Sequence, residues 1–138
     1  MHRRLLFLAL SFALGCAFAA QAGAASIRVY TDRTIALRNT QGAEVVLLDA
    51  PRRLEQALSA GLPADARRAG AIAQERLRAG GLRLRRDVAR AWQGVIDARR
   101  LGIVRLPAVV ADERYVVYGE PDVAKAAARI AAFRSRQP

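Results

Sequence analysis

The chain has 138 residues, enough for one ordinary domain and too few for two. Hydrophobic residues make up 53% and aromatics only 6%, so a core must come from Ala, Leu, Val and Ile, and 23 Lys and Arg against 12 Asp and Glu leave a net charge of +11. A single Cys and a single His exclude an internal disulfide and a four-ligand His/Cys zinc site.

Met1-His2-Arg3-Arg4 is a short basic start, and Leu5 to Ala20 is an apolar run broken only by Ser11 and Gly15. Small residues follow, Ala20-Gln21-Ala22-Gly23-Ala24-Ala25-Ser26. This order is that of a secretory signal peptide, so residues 1–25 are expected to be removed and residues 26–138 to form the domain. Cuts after Ala22, Ala24 or Ala25 fit the pattern, the last two best. Two alternatives stand beside it. One is an uncleaved anchor, since Leu5 to Ile27 is long enough to span a bilayer. The other is a lipoprotein, since Ala13-Leu14-Gly15-Cys16 approaches a lipobox, with Ala13 where a larger aliphatic residue is usual. Cleavage after Ala25 leaves 113 residues with a net charge of +9 and removes both His2 and Cys16. Thiol nucleophiles, disulfide exchange, imidazole bases and His or Cys metal ligands are then excluded from the exported domain.

Ile27-Arg28-Val29-Tyr30-Thr31 alternates with period two and predicts a strand. Asp32 to Ala43 is polar and turn-rich, a loop with room for one helical turn. Glu44 to Leu48 predicts a second strand, and its near-continuous apolar run suggests burial on both faces. Asp49 can N-cap the next helix, with Pro51 in its first turn and Leu54, Ala57 and Leu58 on one face. Gly61 and Pro63 end it. Asp65 to Ala79 is helical by propensity, with a weak face of Ala69, Ile72, Ala73 and Leu77, and Gly80-Gly81 breaks it. Leu84, Val88, Trp92, Val95 and Ile96 then form one helical stripe running to about Leu101, where Gly102 stops it. Leu106 to Ala111 and Tyr115 to Gly119, around Asp112-Glu113-Arg114, predict a β-hairpin. In the last helix, Pro121 sits in the first turn and Val123, Ala126, Ala127, Ile130 and Phe133 form the buried stripe. Glu120 and Asp122 complement its positive end, Arg129 and Arg134 its negative end.

Two strands joined across helices to a hairpin, then a closing helix, suit an α/β fold, a thioredoxin-like sheet with helices on both faces and a helical insertion. In that fold the strand opening the hairpin begins with a proline whose preceding peptide is cis, and Leu106-Pro107 stands in that place. A trans proline at a strand's first residue is the alternative.

Val29-Tyr30-Thr31-Asp32-Arg33, Leu48-Asp49-Ala50-Pro51, Gly61-Leu62-Pro63-Ala64-Asp65, Trp92-Gln93-Gly94-Val95 and above all Leu106 to Asp122 carry a family resemblance. The chain resembles the exported proteins encoded by integrating conjugative elements, a family without an assigned reaction, over nearly all of residues 26–134. The resemblance implies a periplasmic part of a type IV secretion machine that moves DNA between bacteria. The hairpin also resembles the pilin-assembly and disulfide-exchange proteins of conjugation systems, which share the thioredoxin fold. One departure bears on mechanism. Thioredoxin-like oxidoreductases carry Cys-x-x-Cys after the first strand, and this chain has Thr31-Asp32-Arg33-Thr34-Ile35 there. The expectation is therefore a non-enzymatic assembly or scaffold component, without cofactor or metal, that holds another conjugation or secretion-system protein. Its expected partner-binding residues are Thr31, Asp32, Arg33, Leu106, Pro107 and Tyr118, around the proline loop.

Other groups have simpler readings. Asp49, Asp65 and Asp122 look like helix-start acids, and Asp112-Glu113 like solvated turn residues. Trp92 and Tyr115 read as core or sheet residues. Between Asp65 and Leu101 ten arginines face four acids, which concentrates a charge of +6 in one helical segment. Arg83, Arg85, Arg86 and Arg90 are its candidate anion-binding residues. Asp87 with Arg90 and Asp97 with Arg100 are spaced for i,i+3 pairs that need no partner. Secretion and the lack of interleaved aromatics argue against nucleic acid as the partner. Two other functions remain as alternatives: an anion-binding protein using these arginines, and a carboxylate- and Tyr-based periplasmic hydrolase or isomerase at a crevice near Thr31, Asp32 and Pro107.

Overall fold

A computed structural model describes residues 26–137, so the expected signal peptide lies outside the described residues. The elements are β1 (Ile27–Thr31), β2 (Ala43–Leu47), α1 (Ala50–Ser59), α2 (Ala66–Arg100), β3 (Ala108–Ala111), β4 (Tyr115–Tyr118) and α3 (Val123–Arg134). They form a mixed α/β domain. The sheet order is β2-β1-β3-β4, with β1 parallel to β2 and antiparallel to β3, and β3 antiparallel to β4.

Strand alternation sorts the core into two layers. Val29 and Val109 point to one face and are buried with Val123 and Ala126 of α3. Tyr30, Ala108 and Val110 are buried on the other face with Ala98 of α2. Tyr30 is the largest fully buried side chain, in keeping with a core short of aromatics. The loop between β1 and β2 is tied to the start of α3, because Arg38 N–H donates to the Pro121 carbonyl (2.9 Å) and Val123 N–H to the Arg38 carbonyl (3.0 Å).

The two helices expected at residues 65–79 and from 82 onward are limbs of α2. They are separated by Gly81, whose φ of 49° and ψ of −141° only glycine adopts without strain. Gly102 (φ 66°) closes the second limb. Its N–H bonds to the Arg99 carbonyl and that of Ile103 to the Ala98 carbonyl, the paired pattern of a Schellman stop. The first limb is fastened to α1 by Arg76, whose Nη1 donates to the carbonyls of Leu58 and Ala60 (2.7 Å each) at the end of α1.

Several expectations are corrected. The second strand is not buried on both faces: it is a sheet edge, and Val45 is 42% exposed. A continuous apolar run does not distinguish a central strand from an edge flanked by helices. The face that α2's second limb lays on the sheet is not the stripe through Trp92 and Ile96 but Ala91, Gly94 and Ala98. Small residues let the helix come so close that a Cβ at Gly94 would lie 2.6 Å from Val46 Cγ1. The larger residues are displaced outward, leaving Trp92 48% and Ile96 55% exposed. Phe133 is 53% exposed at the last turn of α3, stacked edge-on against Tyr115 (6.2 Å) rather than buried. Asp49 occupies the N-cap position of α1 without a capping hydrogen bond, because its carboxylate turns to Arg53 (3.0 Å). Asp65 and Asp122 do cap, accepting from the N–H groups of Arg68 and Lys125.

Candidate functional site

Register brings most of the expected site residues to one end of the sheet. Tyr30 lies opposite Ala108, and Ala108 opposite Tyr118, so the next positions along β1 and before β3 put Thr31 and Pro107 side by side. The Leu106–Pro107 peptide bond is cis. The Pro107 carbonyl accepts from Gly119 N–H (2.8 Å), the Thr31 carbonyl accepts from Leu48 N–H (2.8 Å), and the Tyr118 hydroxyl reaches the Gly102 carbonyl (3.4 Å). Leu106 packs into the Tyr30 layer.

Exposure divides these residues into two groups. Thr31 and Pro107 are buried, and their carbonyls are already engaged. Asp32, Leu106 and Tyr118 are half-buried and Arg33 is exposed. Anything docking at this end therefore meets Asp32, Arg33, Leu106 and Tyr118, with Thr31 and Pro107 as the rigid base beneath. Asp32 is itself fixed: the Thr34 hydroxyl and backbone N–H donate to it and hold its carboxyl below the usual range. Arg33 makes no ion pair within 4.0 Å among the described residues.

At the opposite end of β1 lies a charged hub that no sequence pattern announces. Arg28 lies 2.9 Å from Glu44, 3.6 Å from Glu113 and 3.8 Å from Asp97, and its Nη1 donates to the Tyr30 hydroxyl (3.4 Å). The tyrosine hydroxyl and Glu44 hold the guanidinium proton more firmly than usual. Three elements, β1, β2 and α2, and the turn between β3 and β4 meet at this one cation, which only the fold brings together. The hub also redirects pairs expected along the helix. Asp97 faces Arg28 and accepts from Gln93, Arg100 pairs with Glu113 (3.0 Å), and Asp87 has no ion pair with Arg90. The hairpin acids are accordingly not merely solvated, since Asp112 also pairs with Arg134 (2.8 Å).

A cavity of about 570 Å³ opens beside the free edge of β2, between α1 and the second limb of α2. Glu44, Val45, Val46 and Leu47 line it consecutively, with Arg53 and Leu54 of α1 and Asp87 and Arg90 of α2. Neither this cavity nor a second one on α2 includes Thr31, Asp32 or Pro107. Of the expected anion-binding residues, Arg83, Arg85, Arg86 and Arg90 are all exposed on the second limb. Arg90 faces the β2 cavity and Arg85 the other, so the four do not converge on one pocket.

Together these features define a mixed α/β domain with a rigid proline-based sheet end and a basic helical arm. The chain belongs to the family described as "Protein of unknown function (DUF1525)", whose model matches residues 24–136. No curated protein and no solved structure matches the chain. Among the described residues, no helix is long and apolar enough to cross a membrane.

Proposed function

We propose that this protein is a non-enzymatic periplasmic assembly or scaffold component of a conjugative, type IV secretion DNA-transfer system, and that it holds a partner protein at the Pro107 end of its sheet. The observation that carries this reading is the junction of Thr31, the cis Leu106–Pro107 peptide and Tyr118 at one sheet end, in a segment without cysteine or histidine. The strand order β2-β1-β3-β4, with β3 antiparallel to its neighbours and helices on both faces, supports a thioredoxin-like architecture. That architecture places a redox pair after β1, where this chain has Asp32 and Arg33. Without a thiol, a preformed sheet end offers binding. The basic start and apolar run of residues 1–20 support export, and the resemblance of Leu106 to Asp122 supports the conjugative setting.

The test is removal of the gene from a donor strain carrying the element. Transfer is expected to fall by orders of magnitude and to return on complementation. Transfer at the undisturbed frequency would overturn the proposal.

A further inference from the structure

The second limb of α2 carries large apolar side chains that the fold does not use. Leu84, Val88, Trp92 and Ile96 recur every four residues, so they share one flank of the helix. Trp92 and Ile96 are about half exposed, and Leu82, at the bend, is 68% exposed. Leu77 of the first limb is 52% exposed and lines a cleft of about 490 Å³ with Leu84 and Val88. Leu77 and Val88 are eleven residues apart and would be separated by about 16 Å on a straight helix. Sharing one cleft means that the bend at Gly81 gathers the apolar residues of both limbs onto one surface.

Basic side chains predominate beside that surface, where Arg78 also lines the cleft and pairs with Glu75 (3.0 Å). Arg85 lines the cleft, Arg99 falls on the same flank by helical spacing, and neither makes an ion pair within 4.0 Å among the described residues. The acids of the limb, Asp87 and Asp97, lie on the other flank, lining the β2 cavity. A purely electrostatic partner such as a nucleic acid answers the arginines and leaves the leucines, Ile96 and Trp92 in water. A phospholipid surface with anionic headgroups answers both: apolar side chains enter the acyl boundary while guanidinium groups reach up to the phosphates.

We propose that the bent α2 docks flat, along the flank of Leu77, Leu84, Val88, Trp92 and Ile96 with Leu82 at the bend, on the anionic phospholipid surface of a membrane. This surface is separate from the Pro107 end, so the proposal stands or falls independently of the partner-binding reading.

The full chain, as cells process it, is sedimented with vesicles of phosphatidylcholine alone and of phosphatidylcholine with phosphatidylglycerol. Every variant shares the same N-terminus, so differences between variants report on α2. Binding to the anionic vesicles is expected to be at least about tenfold tighter than to the neutral ones, and to weaken as salt rises. Trp92 is the only tryptophan, and its emission is expected to shift to the blue on the anionic vesicles. Arg85→Glu with Arg99→Glu is expected to weaken binding at least about tenfold. Leu77→Ser with Leu82→Ser, both at exposed positions, is expected to abolish what binding survives at high salt. Equal binding to both vesicle types would overturn the proposal, as would an unshifted Trp92. So would attachment to heparin or an acidic protein as tight as to the anionic vesicles and indifferent to the leucine substitutions, because charge alone would then explain it.

Discussion

Tyr30→Ala is expected to destabilise the domain by about 3–5 kcal/mol, the range for emptying a buried aromatic site. Tyr30 is fully buried, and Ala98, Ala108, Val110, Leu101 and Leu106 pack in the same layer. The buried residues beside it, Ala98, Ala108 and Val110, are too small to fill the void. A small domain has about 5–15 kcal/mol in total, so the loss should leave a partly unfolded population at ambient temperature, visible in thermal or urea unfolding. Tyr30→Phe separates volume from the hydroxyl. It should cost far less, since the hydroxyl's contact is a 3.4 Å bond from an arginine that keeps Glu44 at 2.9 Å.

The second large effect is expected at Gly94. Replacing a mid-helix glycine ordinarily helps a helix by up to about 1 kcal/mol. At this position a Cβ would lie 2.6 Å from a Val46 methyl, closer than nonbonded atoms approach. Gly94→Val should therefore destabilise by about 1–3 kcal/mol or more, the range for overpacking. Val46→Ala in the same chain removes the obstructing methyl and should restore part of the loss. Measured as a double-mutant cycle, the coupling is expected to be clearly favourable, and strictly additive losses would mean that the helix does not rest on Val46.

The sequence made some of this legible and hid the rest for physical reasons. Strands at residues 27–31, 108–111 and 115–118 were readable: the first alternates with period two, and the other two are short apolar runs on either side of the polar turn Asp112-Glu113-Arg114. The glycine bend and the Schellman stop of α2 were readable as well, since glycine has few rivals at positive φ. The packing face of α2 was not. Periodicity selects the largest apolar residues as the buried stripe, and in this helix Ala91, Gly94 and Ala98 are inside because the helix must approach β2 closely. Trp92 was misplaced for the same cause, and Phe133 because it sits on the last turn of α3 against Tyr115. The edge position of β2 escaped because alternation is lost wherever helices shelter a strand. Of the candidate site, the meeting of Thr31, Pro107 and Tyr118 follows from strand register and could be anticipated. Burial of the first and second of these could not, because a residue's place at a strand end says nothing of what lies over it. The Arg28 hub joins Glu44, Asp97 and Glu113, distant in sequence and brought together only by the fold.

The central claim is that the exposed groups beside Pro107 grip a partner protein. It is tested most directly by the transfer frequency of an element carrying Asp32→Ala with Arg33→Glu, once the variant's abundance and melting temperature have been matched to the parent's. The expected result is transfer as low as that of the gene deletion, since the half-buried Asp32 and the exposed Arg33 stand over the base of Thr31 and Pro107. Transfer at the parental frequency by a stable, fully abundant variant would contradict it.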